Sequence, residues 1–148
     1  MAAFLHVLVE KCGWAYLDGS ITAQAGLYWT DDFPLVHKCE DFVDRYRPSE
    51  KQTIRNMGIG YISIFSCAQF MFALLRQAVQ DVGIENLDGQ AIYNTAVKFQ
   101  WYTEGLPETG YGFSENRRYA VQHMAMYEWR ADEEDLVRIN SWLPILTE

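Results

Sequence analysis

The segment Ile59–Val82 has the sequence IGYISIFSCAQFMFALLRQAVQDV, the longest apolar stretch in the chain. It is apolar on nearly every side at first and becomes amphipathic near Arg76. This pattern predicts a long, largely buried helix that ends at Gly83. The apolar run falls short of the ~18 residues that a membrane span requires, because polar side chains interrupt it at Ser63, Ser66 and Gln69.

Three shorter helices are predicted around this segment. Apolar side chains at spacings of three and four predict one helix from Pro34, where proline suits a first helical turn, to the residues before Pro48. Asn86 and Asp88 begin another that continues to Phe99. A short amphipathic helix near the amino end is closed by Gly13.

Other segments have the pattern of extended chain. Strand-like runs are predicted at Trp14–Leu17, Ile21–Trp29, Val121–Trp129 and Leu136–Leu143. The turn at Asp18–Ser20 separates the first two, and a charged connection at residues 130–135 predicts a hairpin for the last two. The glycines, proline and aromatic residues of Trp101–Gly112 indicate an irregular stretch.

The amino-acid composition limits the classes of function that are expected. The chain has 148 residues, 49% of them apolar and 22% charged, which is typical of one globular unit with its own core. The net charge is −8 and the basic residues are scattered, so nucleic acid is not an expected partner. Three widely spaced cysteines, without a CxxC pair, predict neither a disulfide framework nor a zinc site.

No pattern in the sequence predicts catalysis. The chain lacks the glycine-rich phosphate loops, the GxSxG turn and the HExxH helix that carry common enzyme chemistry. His37, Cys39 and Glu40 are the nearest approach to a metal cluster, but residues two apart on a helix point to different sides. We therefore expect no enzyme activity, no cofactor and no metal.

Four motifs, in chain order, carry a family resemblance. The first is the helix end Phe42–Tyr46 (FVDRY), and the second is the helix that begins at Tyr61 and is followed by LDGQAIY at 87–93. The third is a pair of loop motifs, GLP at 105–107 and GFSENRR at 112–118. The fourth is the hairpin that ends near Trp142. Together they resemble the carboxy-terminal part of the type I periplasmic solute-binding proteins of the branched-chain amino acid ABC transporter family.

The resemblance implies an α/β fold with two lobes, of which this chain would hold the carboxy-terminal portion: incomplete parallel sheets flanked by helices, with a closing hairpin. Residues 1–31 and 120–148 would belong to the second lobe and residues 32–119 to the first. Members of the family are two to three times longer and have a signal peptide, which this sequence lacks. The chain is therefore expected to be a fragment.

The resemblance also implies a function. It predicts a non-catalytic solute-binding component of an ABC-type uptake system for an amino acid or related small carboxylate, periplasmic or otherwise extracytoplasmic in the intact protein, with a permease as partner. The alternative is a free-standing small α/β ligand-sensing or enzymatic domain whose likeness is coincidental.

Candidate ligand contacts follow from the same resemblance. Turns at strand ends and helix starts offer free backbone N–H groups to a carboxylate. The expected ligand-binding residues are Asp18, Ser20, Tyr28, Trp29 and Tyr61. Asp18 is the carboxylate expected to meet an α-ammonium group, near the helix start at Tyr61.

The long helix raises a further expectation. In the family it packs against a parallel sheet whose strands lie mostly upstream, so part of its apolar face would lack a partner here. Exposed apolar area of a few hundred Å² tends to be covered by association. Self-association is expected through Ile62, Phe65, Phe70 and Phe72.

Overall fold

The computed structural model describes residues 5–107 and 110–145. Within these residues the helices are α1 (Leu5–Cys12), α2 (Trp14–Leu17), α3 (Pro34–Tyr46), α4 (Lys51–Asn56), α5 (Gly60–Val82) and α6 (Gly89–Ala96). The strands are β1 (Ile21–Gln24), β2 (Gln100–Trp101), β3 (Tyr111–Gly112), β4 (His123–Arg130), β5 (Asp135–Arg138) and β6 (Leu143–Pro144).

The long apolar segment forms α5 and confirms the predicted helix. Its buried side chains recur every four residues and make one stripe along the helix: Ile62, Ser66, Phe70, Leu74 and Ala78. The opposite face is open, with Ile64 exposed by 73% and Phe72 by 66%. The helix is therefore less buried than its composition predicted.

The open face gives α5 a second property. By length and composition alone this helix could cross a membrane. Its most apolar 18-residue window has a mean hydropathy of 1.4, and 28% of that window is buried. The sequence-based expectation that the interrupting polar residues would exclude this was wrong. A core helix of a globular fold meets the same criterion, and the buried stripe of α5 is the pattern of such a helix.

Helices α3 and α6 also confirm their predictions, for local reasons. Pro34 occupies the first turn of α3, where its missing N–H costs no hydrogen bond, and the helix buries Leu35, Val36, Cys39 and Val43 on one side. Asp88 caps α6 by accepting a hydrogen bond from the Ala91 N–H at 2.8 Å.

The main sheet is organised around β4. Antiparallel partners flank it, with Thr22 of β1 opposite Tyr127 and Leu136 of β5 opposite Trp129, while β6 pairs with its first residues. None of the strand pairs among the described residues is parallel, so the parallel sheets that the resemblance implied are not found in this part of the chain. A short turn joins β4 to β5, and such a connection produces antiparallel neighbours.

Three strand predictions need correction. The run predicted over Ile21–Trp29 is a strand only as far as Gln24, because the chain bends at Ala25 and Gly26. Trp14–Leu17 is helix α2: the Asp18 N–H donates to the Trp14 carbonyl at 3.0 Å, and the Trp14 ring packs on Trp129 at 5.7 Å between centroids. The run predicted over Leu136–Leu143 is two strands. Asn140 lies between β5 and β6. Its side-chain oxygen accepts a hydrogen bond from the Met126 N–H at 2.8 Å, in place of a backbone hydrogen bond between strands.

Two apolar clusters share α5. The larger lies between α3, α4, the start of α5 and the inner face of β4, where Ala125, Tyr127 and Trp129 alternate inward. The smaller surrounds Phe70 and includes Leu106 and Tyr111. Ile62 and Phe70 face these clusters, exposed by 0% and 6%, so the expected self-association through those two residues was wrong.

A buried carboxylate ties the loop after β1 to the sheet. The Asp31 side chain, 1% exposed, accepts hydrogen bonds at its Oδ2 from the Tyr28 N–H at 2.9 Å and the Tyr127 hydroxyl at 2.6 Å. The Arg138 guanidinium lies 3.6 Å from the same oxygen and over the Trp142 ring at 4.4 Å. A buried charge needs this degree of pairing, because leaving it without partners costs several kcal/mol.

The substitution Asp31→Asn tests this arrangement. It leaves the Arg138 charge without its counterion, so the free energy of unfolding should fall by about 3 kcal/mol. Urea denaturation monitored by tryptophan fluorescence measures the change. The matched control is Asp32→Asn, at a side chain that is 95% exposed and pairs only with His37 among the described residues; equal loss in both variants would contradict the prediction.

Candidate functional site

A cavity of about 290 Å³ opens between the amino-terminal helices, α4 and the β4–β5 turn. This volume is at the lower end of the range of small-molecule sites, which begins near ~300 Å³. Five elements contribute its lining residues: Leu5, His6, Val9, Glu10, Trp14, Tyr28, Trp29, Gln52, Arg55, Asn56, Glu134 and Asp135. It therefore combines aromatic walls with four charged side chains.

Trp29 forms one wall and is held on several sides. Its Nε1–H donates to the Gly58 carbonyl at 2.9 Å, and its ring stacks on Tyr61 at 6.3 Å between centroids. Gly58 has φ +76°, a conformation that favours glycine and that turns the chain from α4 into α5. The Arg55 guanidinium lies 5.8 Å from the Trp29 ring centroid.

Arg55 is also paired with two carboxylates. Its Nη1 lies 2.8 Å from Glu40 Oε1, and its Nη2 lies 3.6 Å from Asp135 Oδ2. Because these side chains are only about a quarter exposed, at 29% for Arg55 and 24% for Asp135, the pairing fixes α4 against α3 and the β4–β5 turn. The arrangement neutralises the one guanidinium of the cavity lining.

Tyr28 links the cavity to the buried carboxylate at Asp31. Its hydroxyl donates to Asp135 Oδ1 at 2.8 Å, while its backbone N–H donates to Asp31. Burial, and then the negative charge of Asp135, raise the pKa of Tyr28 well above its usual range. The phenol is thus a fixed hydrogen-bond donor at neutral pH and does not act as a base.

Among the described residues, the titratable side chains of this cavity are His6, Tyr28 and the charged residues. His6 lines it, and no serine, threonine or cysteine does. Burial raises the pKa of the Cys39 thiol to about 12, so this cysteine stays protonated within the core. No group of three metal-binding side chains is found in the described parts of the chain.

The cavity brings together two of the five predicted ligand-binding residues, Tyr28 and Trp29. Tyr61 packs on the far side of Trp29 and is not in the lining. Asp18 accepts a hydrogen bond from the Ala131 N–H at 2.8 Å, and Ser20 accepts one from Trp129 through its backbone oxygen at 2.9 Å. Ligand contacts by Asp18, Ser20 and Tyr61 therefore remain predictions.

Sequence reasoning missed all four charged residues of the cavity, namely Glu10, Arg55, Glu134 and Asp135. Arg55 and Asp135 are separated by eighty positions, and no local pattern indicates that they meet. The aromatic pair at Tyr28 and Trp29 was detectable because side chains with an apolar body and a polar tip are common in clefts.

The chain is similar in fold to a solved structure. A crystal structure of a branched-chain amino acid ABC transporter from Thermus thermophilus with bound valine matches 95% of the chain with a TM-score of 0.70 and 12% sequence identity. The chain spans 37% of the length of that protein. No family model and no curated protein matches the sequence.

This match confirms the expected fold. The mixed arrangement of helices and strands is that of a part of a periplasmic-binding-protein fold, as the sequence resemblance implied. At this low identity the likeness concerns the fold alone. The ligand and the partners of the chain have to be argued from its own residues.

The buried phenols predict a loss of stability at alkaline pH. Burial raises the pKa of Tyr28, Tyr111 and Tyr127, to about 12 for Tyr111, while five of the nine tyrosines are exposed. Since the folded chain keeps protons that the unfolded chain releases, stability is intact below about pH 10 and decreases above it. The free energy of unfolding, measured by urea denaturation, should therefore be lower at about pH 11 than at about pH 9.

Tyr111→Phe tests this linkage. It removes one of the buried phenols, so the variant should lose less stability than the parent chain between about pH 9 and about pH 11. The control is Tyr16→Phe, at a side chain exposed by 80%, which leaves all three buried phenols in place. Equal losses in the parent chain and in Tyr111→Phe would contradict the prediction.

Proposed function

We propose that this chain is a non-catalytic solute-binding component, in whole or in part, of an ABC-type uptake system for an amino acid or a related small carboxylate. In this proposal the intact protein is extracytoplasmic and presents its ligand to a membrane permease. The main support for this proposal is the fold that the chain shares with a transporter protein whose structure contains bound valine.

The lining of the cavity supports ligand binding at this site. Tyr28 and Trp29, exposed by only 1% and 5%, provide rigid walls, and the charged side chains can orient a polar ligand. Since the walls are fixed by hydrogen bonds to Asp31 and Gly58, little ordering is needed on binding. We assign the site to these walls together with α1 and α4.

We further propose that the lobes divide as the resemblance implies, with residues 1–31 and 120–148 in one and 32–119 in the other. The cavity takes lining residues from both sets, Arg55 from one and Glu134 from the other, so a ligand in it would contact both. The permease partner is proposed on the same basis.

Blocking the cavity tests the binding function. Val9 lines it from α1, so Val9→Phe should fill part of the space and weaken binding of the best amino-acid ligand by at least about tenfold. Titration calorimetry of the 148-residue chain with the twenty common L-amino acids measures the affinities. Val7→Phe, on the same helix but exposed by 40% and outside the lining, should bind as the parent does.

The outcomes are unambiguous. If no amino acid binds, or if both substitutions weaken binding equally while the urea midpoints stay at the parent value, the proposed function is wrong. A loss confined to Val9→Phe supports both the function and the site.

We also propose that the isolated chain self-associates through the open face of α5. Ile64, Met71 and Phe72 lie seven and eight residues apart, so they share one side of the helix, and each is exposed by 45% or more. An exposed apolar surface of this kind tends to be covered by association.

Sedimentation velocity tests this association. Phe72→Glu places a charge within the apolar face, so the weight-average sedimentation coefficient should fall to the monomer value at concentrations where the parent chain is dimeric or larger. Tyr16→Glu, at a residue exposed by 80% on α2, makes the same change elsewhere and should leave the association intact. A parent chain that is monomeric at every concentration would contradict the proposal.

A further inference from the structure

The charges of the cavity are unequal. Three carboxylates, Glu10, Glu134 and Asp135, face one guanidinium, Arg55. Glu10 and Glu134 are exposed where they line this space, so their attraction for a cation depends on the ionic strength. The lining therefore favours a ligand that brings positive charge.

Arg55 has little capacity left for a ligand anion. Both of its terminal nitrogens face carboxylates, at 2.8 Å from Glu40 and 3.6 Å from Asp135. Asp135 is likewise engaged, because its Oδ1 accepts hydrogen bonds from the Tyr28 hydroxyl and the Leu136 N–H. These two residues together contribute no net charge to the cavity.

Glu10 and Glu134 are in a different situation. Within residues 5–107 and 110–145 neither side chain makes a hydrogen bond or an ion pair. They approach the cavity from α1 and from the β4–β5 turn, so their charges lie on separate elements of its wall. Trp14 provides a half-buried aromatic side chain in the same lining, and aromatic faces attract ammonium groups.

A further polar atom in the lining is unpaired. The Nδ1 of His6 is buried, and it has no hydrogen-bond partner in the described part of the chain. Buried polar atoms without a partner are uncommon, because the lost hydrogen bonds to water are not replaced. Because this atom has no accessible surface, a ligand in the cavity could bind it only if the imidazole turned.

From these observations we propose that the cavity selects basic amino acids over neutral ones, with Glu10 and Glu134 binding the side-chain cation. The inference rests on the proposed solute-binding function and specifies its substrate class. The proposed ligand class differs from that of the structurally similar protein, whose structure contains the neutral amino acid valine.

Lysine and norleucine provide a matched pair of ligands, since they have the same carbon chain and differ in the ε-ammonium group. The 148-residue chain should bind L-lysine at least about tenfold more tightly than L-norleucine in low salt. Raising the ionic strength should reduce this ratio, because exposed carboxylates are screened. Titration calorimetry measures both affinities.

The double variant Glu10→Gln/Glu134→Gln tests the assigned residues. It should weaken lysine binding by about tenfold and lower the ratio of lysine to norleucine affinity towards one. The control is Asp132→Asn, which removes a charge from the same turn at an exposed residue outside the lining. Lysine affinity should be unchanged in that variant.

The failures of the two proposals are distinguishable. If norleucine or valine binds as tightly as lysine, and Val9→Phe still weakens that binding, the basic-ligand inference is wrong and the solute-binding function stands. If the double variant keeps the lysine affinity of the parent, the assignment of Glu10 and Glu134 is also overturned. If no amino acid binds, both proposals are wrong.

Discussion

The buried carboxylate of Asp31 is the constraint on which the arrangement of this protein depends. An ionised group that is 1% exposed is tolerated only when its hydrogen bonds and counter-charge are in place. Its partners come from the loop that contains Tyr28, from Tyr127 on β4 and from Arg138 on β5. The carboxylate can therefore be buried only if the loop, the central strand and its neighbour come together.

The buried Asp31 carboxylate also makes the cavity wall rigid. Tyr28 is bound through its backbone to Asp31 and through its hydroxyl to Asp135, so one residue joins the fold-determining carboxylate to the cavity wall. Arg55 then continues the chain of contacts to α3 through Glu40. A wall held in this way does not need to reorganise when a ligand enters, and preorganisation of this kind lowers the cost of binding.

The sequence predicted the elements that local interactions determine. Helices α3, α5 and α6 follow from apolar spacing, a first-turn proline and the Asp88 cap, which act over a few residues. Trp14–Leu17 was wrongly predicted because its helix is stabilised by the distant Trp129 ring. The charges of the cavity were missed for the same physical reason: residues from α1, α4 and the β4–β5 turn meet only after the chain has folded.

The acidic net charge of −8 is not spread evenly. Four consecutive carboxylates at 132–135 lie at or beside the β4–β5 turn, next to the cavity, and Arg130 pairs with Glu133 at 2.8 Å and with Glu128 at 3.0 Å. Asp135 is neutralised by Arg55, so Asp132 and Glu134 carry the uncompensated charge of this turn among the described residues. Because clustered charges of one sign raise the local concentration of counter-ions, this turn should attract cations to the cavity entrance before any contact forms. The same hairpin that buries Asp31 thus also creates the negative field around the candidate site.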